Sequence, residues 1–141
     1  MQTVPHPDLA GQLRLTIVRT ARRLRQEAGT DLSPSLTAAL STVERHGPMT
    51  PSELAARERV QRPTATRVVA RLAEAGLVER TPSPQDGRCA LVSATPAGRA
   101  LLAEQRTRKT AFLAARLERL DAEDRAALER AAGILERMLA E

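Results

Sequence analysis

Apolar positions along this chain follow a helical rhythm for most of its length, and the residues between the runs mark where each helix starts and stops. From Asp8 to about Ala28, the residues Leu9, Leu13, Ile17, Ala21, Leu24 and Ala28 recur at three- and four-residue steps, which lines one face of a helix. Asp8 is placed to cap it, and Gly29 breaks it. Ser33 followed by Pro34 is a second start, N-cap then first helical position, with Leu36, Leu40 and Val43 as the buried face before Gly47-Pro48. Thr50-Pro51-Ser52-Glu53 is a capping box that predicts a short helix from Pro51 to Glu58, burying Leu54 and Ala55. Val60 and Gln61 fall in a turn. Pro63 then suits the first turn of another helix, because its missing N–H would have no partner there anyway. That helix, 62–75, ends at Gly76, a residue free to adopt the left-handed conformation.

Past the glycine the period changes. Leu77 to Thr81 and Cys89 to Ala94 predict two strands, and the segment 82–88 between them carries the turn signal Asp86-Gly87, so a β-hairpin is expected. Thr95-Pro96 repeats the cap-and-proline start and opens a long helix over 96–120. It is apolar at Leu101 and Leu102, polar from Glu104 to Thr110, and apolar again at Phe112, Leu113, Leu117 and Leu120. A helix polar through its middle commonly bridges two packed units. Asp121 starts a last helix, 121–141, striped by Leu128, Ala131, Ala132, Leu135, Met138 and Leu139. The expected fold is mainly α with a small β-hairpin wing: a winged helix-turn-helix over 33–99, a connecting helix over 96–120, and terminal helices at 8–28 and 121–141. The order helix, turn, helix, hairpin from Thr50 to Arg88 is a device for placing one helix in the DNA major groove with a loop beside it.

Charge supports that direction. The 141 residues suffice for one domain with a real core, and they carry 22 basic and 17 acidic residues, a formal charge of +5. Residues 47–99 hold eight basic and five acidic side chains, whereas 100–141 hold eight of each. Local positive charge in the central block favours phosphate. Phe112 is the single aromatic, which argues against a binder that stacks bases of single strands or RNA. One cysteine, Cys89, rules out an intrachain disulfide and a multi-cysteine metal framework. No secretory signal and no run of about 18 apolar residues is present, so no membrane association and a cytoplasmic location are expected.

On a helical wheel the 62–75 segment separates into two faces. Ala65, Val68, Val69 and Leu72 form the packing face. Pro63, Thr66, Arg67 and Ala70 form the opposite one, flanked by Thr64 and Arg71, with Arg62 at the start. Small groups there let the helix approach base edges, Arg67 can reach guanine O6 and N7, and Thr methyls can touch thymine methyls. Thr hydroxyls and the helix N-terminal N–H groups suit phosphate oxygens. A solvated surface helix would share this face, but the capping box, the glycine stop and the hairpin favour DNA. In the wing, Arg88 beside Asp86 and Gly87 is positioned to enter a minor groove; equally, it could pair with Asp86 and stiffen the turn.

Together these residues resemble the MarR family of bacterial transcription regulators, over nearly the whole chain. Leu72, Gly76, Leu77, Val78 and Arg80 match the Leu-x-x-x-Gly-Leu-Val-x-Arg phrase that ends the family's helix-turn-helix. Asp86, Arg88, Thr95 and Gly98 match its wing, an Asp-x-Arg tip leading into Thr-x-x-Gly. The resemblance implies a homodimer that interleaves its N- and C-terminal helices on a pseudo-palindromic operator. It also implies repression by occluding a promoter, and a small-molecule inducer held between the dimerisation and DNA-binding parts. The chain departs from the family where Ser83-Pro84 replaces Asp-Pro and Gly87 replaces a basic residue, leaving the wing one charge lower. A pocket built here for an aromatic acid would have only Phe112 to offer.

Other chemistry finds little support. Cys89 lies in a predicted wing strand, away from the N-terminal position of the reactive cysteine in oxidation-sensing relatives, and reads as an inert strand residue. His6 and His46 lack metal-ligand spacing, so neither a metal nor any other cofactor is expected. Arg106, Arg108 and Lys109 read as an exposed helix face. No Gly-rich phosphate loop or nucleophile–base pattern is present, so an enzyme is not expected. The competing function is a dimeric winged-helix protein-interaction module that does not read DNA, which should show exposed apolar or aromatic groups in place of Arg67, Arg71 and Arg88.

Overall fold

A computed structural model of the chain describes residues 7–29, 32–85 and 87–141. These form α1 (Pro7–Ala28), α2 (Pro34–His46), α3 (Pro51–Glu58), α4 (Arg62–Glu74), β1 (Val78–Pro82), β2 (Ala90–Ala94), α5 (Pro96–Leu117) and α6 (Ala122–Leu139). Asp86 and His6 lie outside the described residues. The fold class is the expected one, mainly helical with one hairpin. Element ends move by a few residues: the strands start one residue later than expected, and α5 stops at Leu117 and leaves 118–120 as a turn.

Side-chain caps set four of the helix starts. Ser33 Oγ accepts from the Leu36 N–H at 3.3 Å, and Thr50 Oγ1 from that of Glu53 at 3.1 Å. Thr95 Oγ1 accepts from Gly98 at 3.1 Å and Asp121 Oδ1 from Asp124 at 2.8 Å. Each such cap satisfies an N–H left open by the helix and contributes about 1 kcal/mol. Asp8 does not cap α1. The helix begins at Pro7, and Asp8 lies inside its first turn, where its charge complements the helix dipole.

The core is built around α2, which packs on α3, α4, α5 and β2. Leu40 and Val43 of α2, Leu54 of α3, Val69 and Leu72 of α4 and Val92 of β2 are its largest fully buried side chains among the described residues. The antiparallel hairpin pairs Val78 with Ala94 and Pro82 with Ala90. Met49 extends it by one residue: its N–H donates to the Val92 carbonyl at 3.0 Å, and the Val92 N–H donates back at 2.7 Å. A one-residue pairing has no periodicity, so nothing in the pattern announces it.

Thr95 and Gly98 join hairpin to helices. The Thr95 N–H donates to the Leu77 carbonyl at 3.0 Å and its hydroxyl to the Gly76 carbonyl at 2.7 Å. A Cβ on Gly98 would stand 2.2 Å from the Leu77 carbonyl oxygen, so α5 lies directly on the backbone that leads into β1. The Thr-x-x-Gly motif is therefore a packing device.

The polar middle of α5 is a contact surface for α1. Arg108 Nη1 donates to the Ala28 carbonyl at 2.8 Å, closing the end of α1, and Arg108 also pairs with Glu104. Phe112 is flanked by the guanidinium carbons of Arg23 and Arg116, 5.3 and 3.6 Å from its ring centre. Arg106 and Arg108 are exposed as expected, whereas Lys109 is half-buried, a correction to the reading of this cluster as one solvated face. In α6 no residue is buried; Leu128, Ile134, Met138 and Leu139 stand open to solvent, as do Leu9, Leu13, Ile17 and Val18 of α1.

Candidate nucleic-acid interface

Three residues, Arg59 to Gln61, connect α3 to α4. Arg59 takes the left-handed conformation (φ 55°, ψ 44°), the one non-glycine residue with positive φ among the described residues. The turn is closed by the Val60 N–H donating to the Ala55 carbonyl at 3.0 Å. At its far end α4 stops on Gly76, whose φ of 75° lets the Leu77 N–H return to the Leu72 carbonyl at 2.9 Å. Both ends of α4 are thus fixed by backbone bonds, and its orientation is fixed by the burial of Ala65, Val69 and Leu72.

The outward face carries the sequence-selected residues together. Arg62, Pro63, Thr66, Arg67, Ala70 and Arg71 are exposed, and Thr64 is half-buried. Thr66 Oγ1 donates to the Arg62 carbonyl at 3.0 Å, which turns the hydroxyl back to the helix and presents the methyl. Arg67 has one weak restraint, Nη2 to Thr64 Oγ1 at 3.5 Å. Among the described residues none of Arg62, Arg67 and Arg71 has an acidic partner; the ion pairs Arg23–Glu27, Arg106–Glu44 and Arg108–Glu104 all lie elsewhere. Gln61, the N-cap of α4, makes no side-chain bond to the helix, unlike the caps of α2, α3, α5 and α6.

In the wing, the Ser83 N–H donates to the Cys89 carbonyl at 2.8 Å and Ser83 Oγ accepts from the Gln85 N–H at 3.3 Å. Gly87, Arg88 and Cys89 are exposed. Together with Arg80, Thr81 and Pro82 they line a shallow depression beside the strands. Two positions that the helical and strand periodicity does not single out adjoin the candidate surface, one at the α4 face and one at the wing. Ser35 lines the depression shared by Thr64, Arg67 and Arg71, and Arg80 projects from β1 next to the wing. Nothing in the pattern points to Ser35, and Arg80 was legible only as the end of a family phrase.

Among the described residues no group of three His, Cys, Asp or Glu side chains could hold a metal ion, and His46 is exposed at the end of α2. Nor is any helix among them long and apolar enough to cross a membrane.

A helix-turn-helix with a two-stranded wing, presenting a basic outward face on its second helix, defines the class of winged DNA-binding proteins. Comparison with known proteins carries this further. The MarR family model matches residues 32–90. The chain is 41% identical over 128 residues, 90% of either chain, to an uncharacterized HTH-type transcriptional regulator of Mycobacterium bovis. A crystal structure of a transcriptional regulator from Pseudomonas aeruginosa is 32% identical, with a TM-score of 0.85 over 96% of this chain and 98% of that one. MarR of E. coli in its apo form is 25% identical, with a TM-score of 0.72 over 95% of this chain and 98% of that one. The chain belongs to the MarR family and is a DNA-binding transcription regulator.

Proposed function

We propose that the protein is a ligand-responsive homodimeric repressor acting in the cytoplasm on a pseudo-palindromic operator. In this reading α4 enters the major groove by its N-terminal half, and the wing 82–88 follows the backbone to the adjacent minor groove. The observation that carries it is the α4 face, where Arg62, Arg67 and Arg71 lack acidic partners among the described residues and surround the small groups of Pro63, Thr66 and Ala70. Arg67 is the candidate for guanine, Thr66 for a thymine methyl, and Thr64 with the uncapped start of α4 for phosphate. Gly87 and Arg88 would make the wing contact.

The dimer reading rests on the open apolar stripes of α1 and α6. Leu13 and Ile17 on one and Leu128 and Leu139 on the other are 37–81% exposed in the single chain. Large aliphatic side chains aligned in this way mark a surface that another chain covers. Two α4 helices must then be spaced about one DNA turn apart, roughly 34–36 Å, to read successive major grooves. An inducer seated between the terminal helices and the winged unit would act by changing that spacing. Hydroxyl-radical footprinting on DNA upstream of the gene tests the reading. Two protected half-sites about 10 base pairs apart are expected for a dimer, and protection of one isolated site would contradict it.

A further inference from the structure

Gln105, on the polar stretch of α5, is 2% exposed, and neither its Nε2 nor its Oε1 has a hydrogen-bond partner among the described residues. A buried amide with both ends unpaired is costly, and native structures rarely leave one unless something else completes it. Gln105 lines a cleft of about 320 Å³ between α1, α2 and α5, a size at the low end of small-molecule sites. The same cleft is lined by Arg22 and Arg25 of α1 and Lys109 of α5, with Thr37 of α2 as a further polar group and Leu32 as part of its apolar wall.

The pairing of charges around it is uneven. Arg23, Arg106 and Arg108, the neighbours of these cations along α1 and α5, each have a glutamate partner. Arg22, Arg25 and Lys109 have none among the described residues. Cations gathered around an unsatisfied amide, in a cleft that no acidic side chain lines among the described residues, make a site complementary to negative charge. No aromatic side chain lines the cleft, so nothing there would stack on a ring.

We propose that this cleft binds a small non-aromatic dianion, its charged oxygens held by Arg22, Arg25 and Lys109 and a further polar atom paired with the Gln105 amide. Dicarboxylates and phosphate share this chemistry. The site rests on the ligand-responsive reading given above and names its ligand class. Because α1 carries a proposed dimer stripe while α2 and α5 belong to the winged unit, a bound anion ties the two together.

The test is isothermal titration and thermal melting of the full chain without DNA, using succinate, inorganic phosphate, benzoate and, at matched ionic strength, sodium chloride. Saturable binding of succinate or phosphate, one per chain, with a rise in melting temperature that chloride does not reproduce, is the expected result. Succinate alone would identify a carboxylate ligand, and phosphate alone a phosphoryl one. Gln105→Leu replaces the unpaired amide with an apolar side chain of similar size, so the fold should persist or gain stability. That variant and Lys109→Met should each weaken anion binding about tenfold or more. Binding unchanged in both variants, binding of benzoate alone, or no saturable binding at millimolar anion would overturn the proposal. DNA affinity is measured separately: an anion that binds here without altering it would support the site and remove the ligand-responsive reading.

Discussion

The hydroxyl of Thr95 donates to the carbonyl of Gly76 at 2.7 Å, so the residue that caps α5 also holds the terminus of α4. Its oxygen accepts from the Gly98 N–H at 3.1 Å. One side chain therefore fixes the angle between the candidate recognition helix and the helix that leads to the terminal stripes. Thr95→Val keeps the shape and loses both bonds. It should destabilise the fold by about 1–2 kcal/mol in urea denaturation, with Thr95→Ser retaining most of the stability.

Gly98 answers to a different constraint, since an added methyl would meet the Leu77 carbonyl oxygen at 2.2 Å. Helix propensity alone would favour alanine at this position. Steric overlap with backbone should reverse the sign, and Gly98→Ala is expected to cost about 1–3 kcal/mol. A stabilised Gly98→Ala protein in the same denaturation assay would show that α5 does not rest on the β1 lead-in.

Arg59 holds a left-handed backbone in the turn between α3 and α4. Glycine adopts that conformation without the clash of a Cβ, so Arg59→Gly should raise stability by about 1 kcal/mol. Thermal melting of the two proteins side by side checks it, and a lower melting temperature for the glycine variant would contradict it.

Leu128 and Leu139, about three turns apart on one face of α6, lie 50% and 81% exposed. A glutamate there would place charge in an apolar dimer seam. Leu128→Glu should therefore lower the mass measured by light scattering from that of two chains toward that of one, and weaken operator binding with it. An unchanged mass would remove α6 from the interface.

Arg88 is exposed beside Gly87 in the wing. If it meets a phosphate-lined minor groove, Arg88→Ala should lower affinity similarly on all sequences and reduce the slope of log K against log salt by about one. An unaltered slope would mean that the guanidinium serves the hairpin and not DNA.

What the sequence made legible was what is local. Ser33, Thr50, Thr95 and Asp121 announce their helices because a cap reaches only to the third following residue, and all four accept that bond in the structure. The two faces of α4 were legible because its buried and exposed residues alternate at a helical period. Contacts between distant segments were not. Met49 pairs with Val92 across 43 positions, with nothing around Met49 to suggest a strand. Gln105 sits among Glu104, Arg106 and Arg108 and reads as solvated, yet the packing of α1 and α2 over α5 buries it. Arg59 carries no sign of its left-handed backbone, because arginine is not a residue that favours it.

The most direct test of the DNA-binding role assigned to α4 is fluorescence-anisotropy titration of the upstream duplex and a scrambled duplex, across several salt concentrations, with wild type and Arg67→Ala. Wild type should prefer the native duplex by ~10³ or more, with a steep salt dependence. Arg67→Ala should lose about 1–3 kcal/mol on the native duplex and little on the scrambled one, as removal of a base contact requires. A loss equal on both duplexes would move Arg67 from base to phosphate, and no loss on either would take α4 out of the groove.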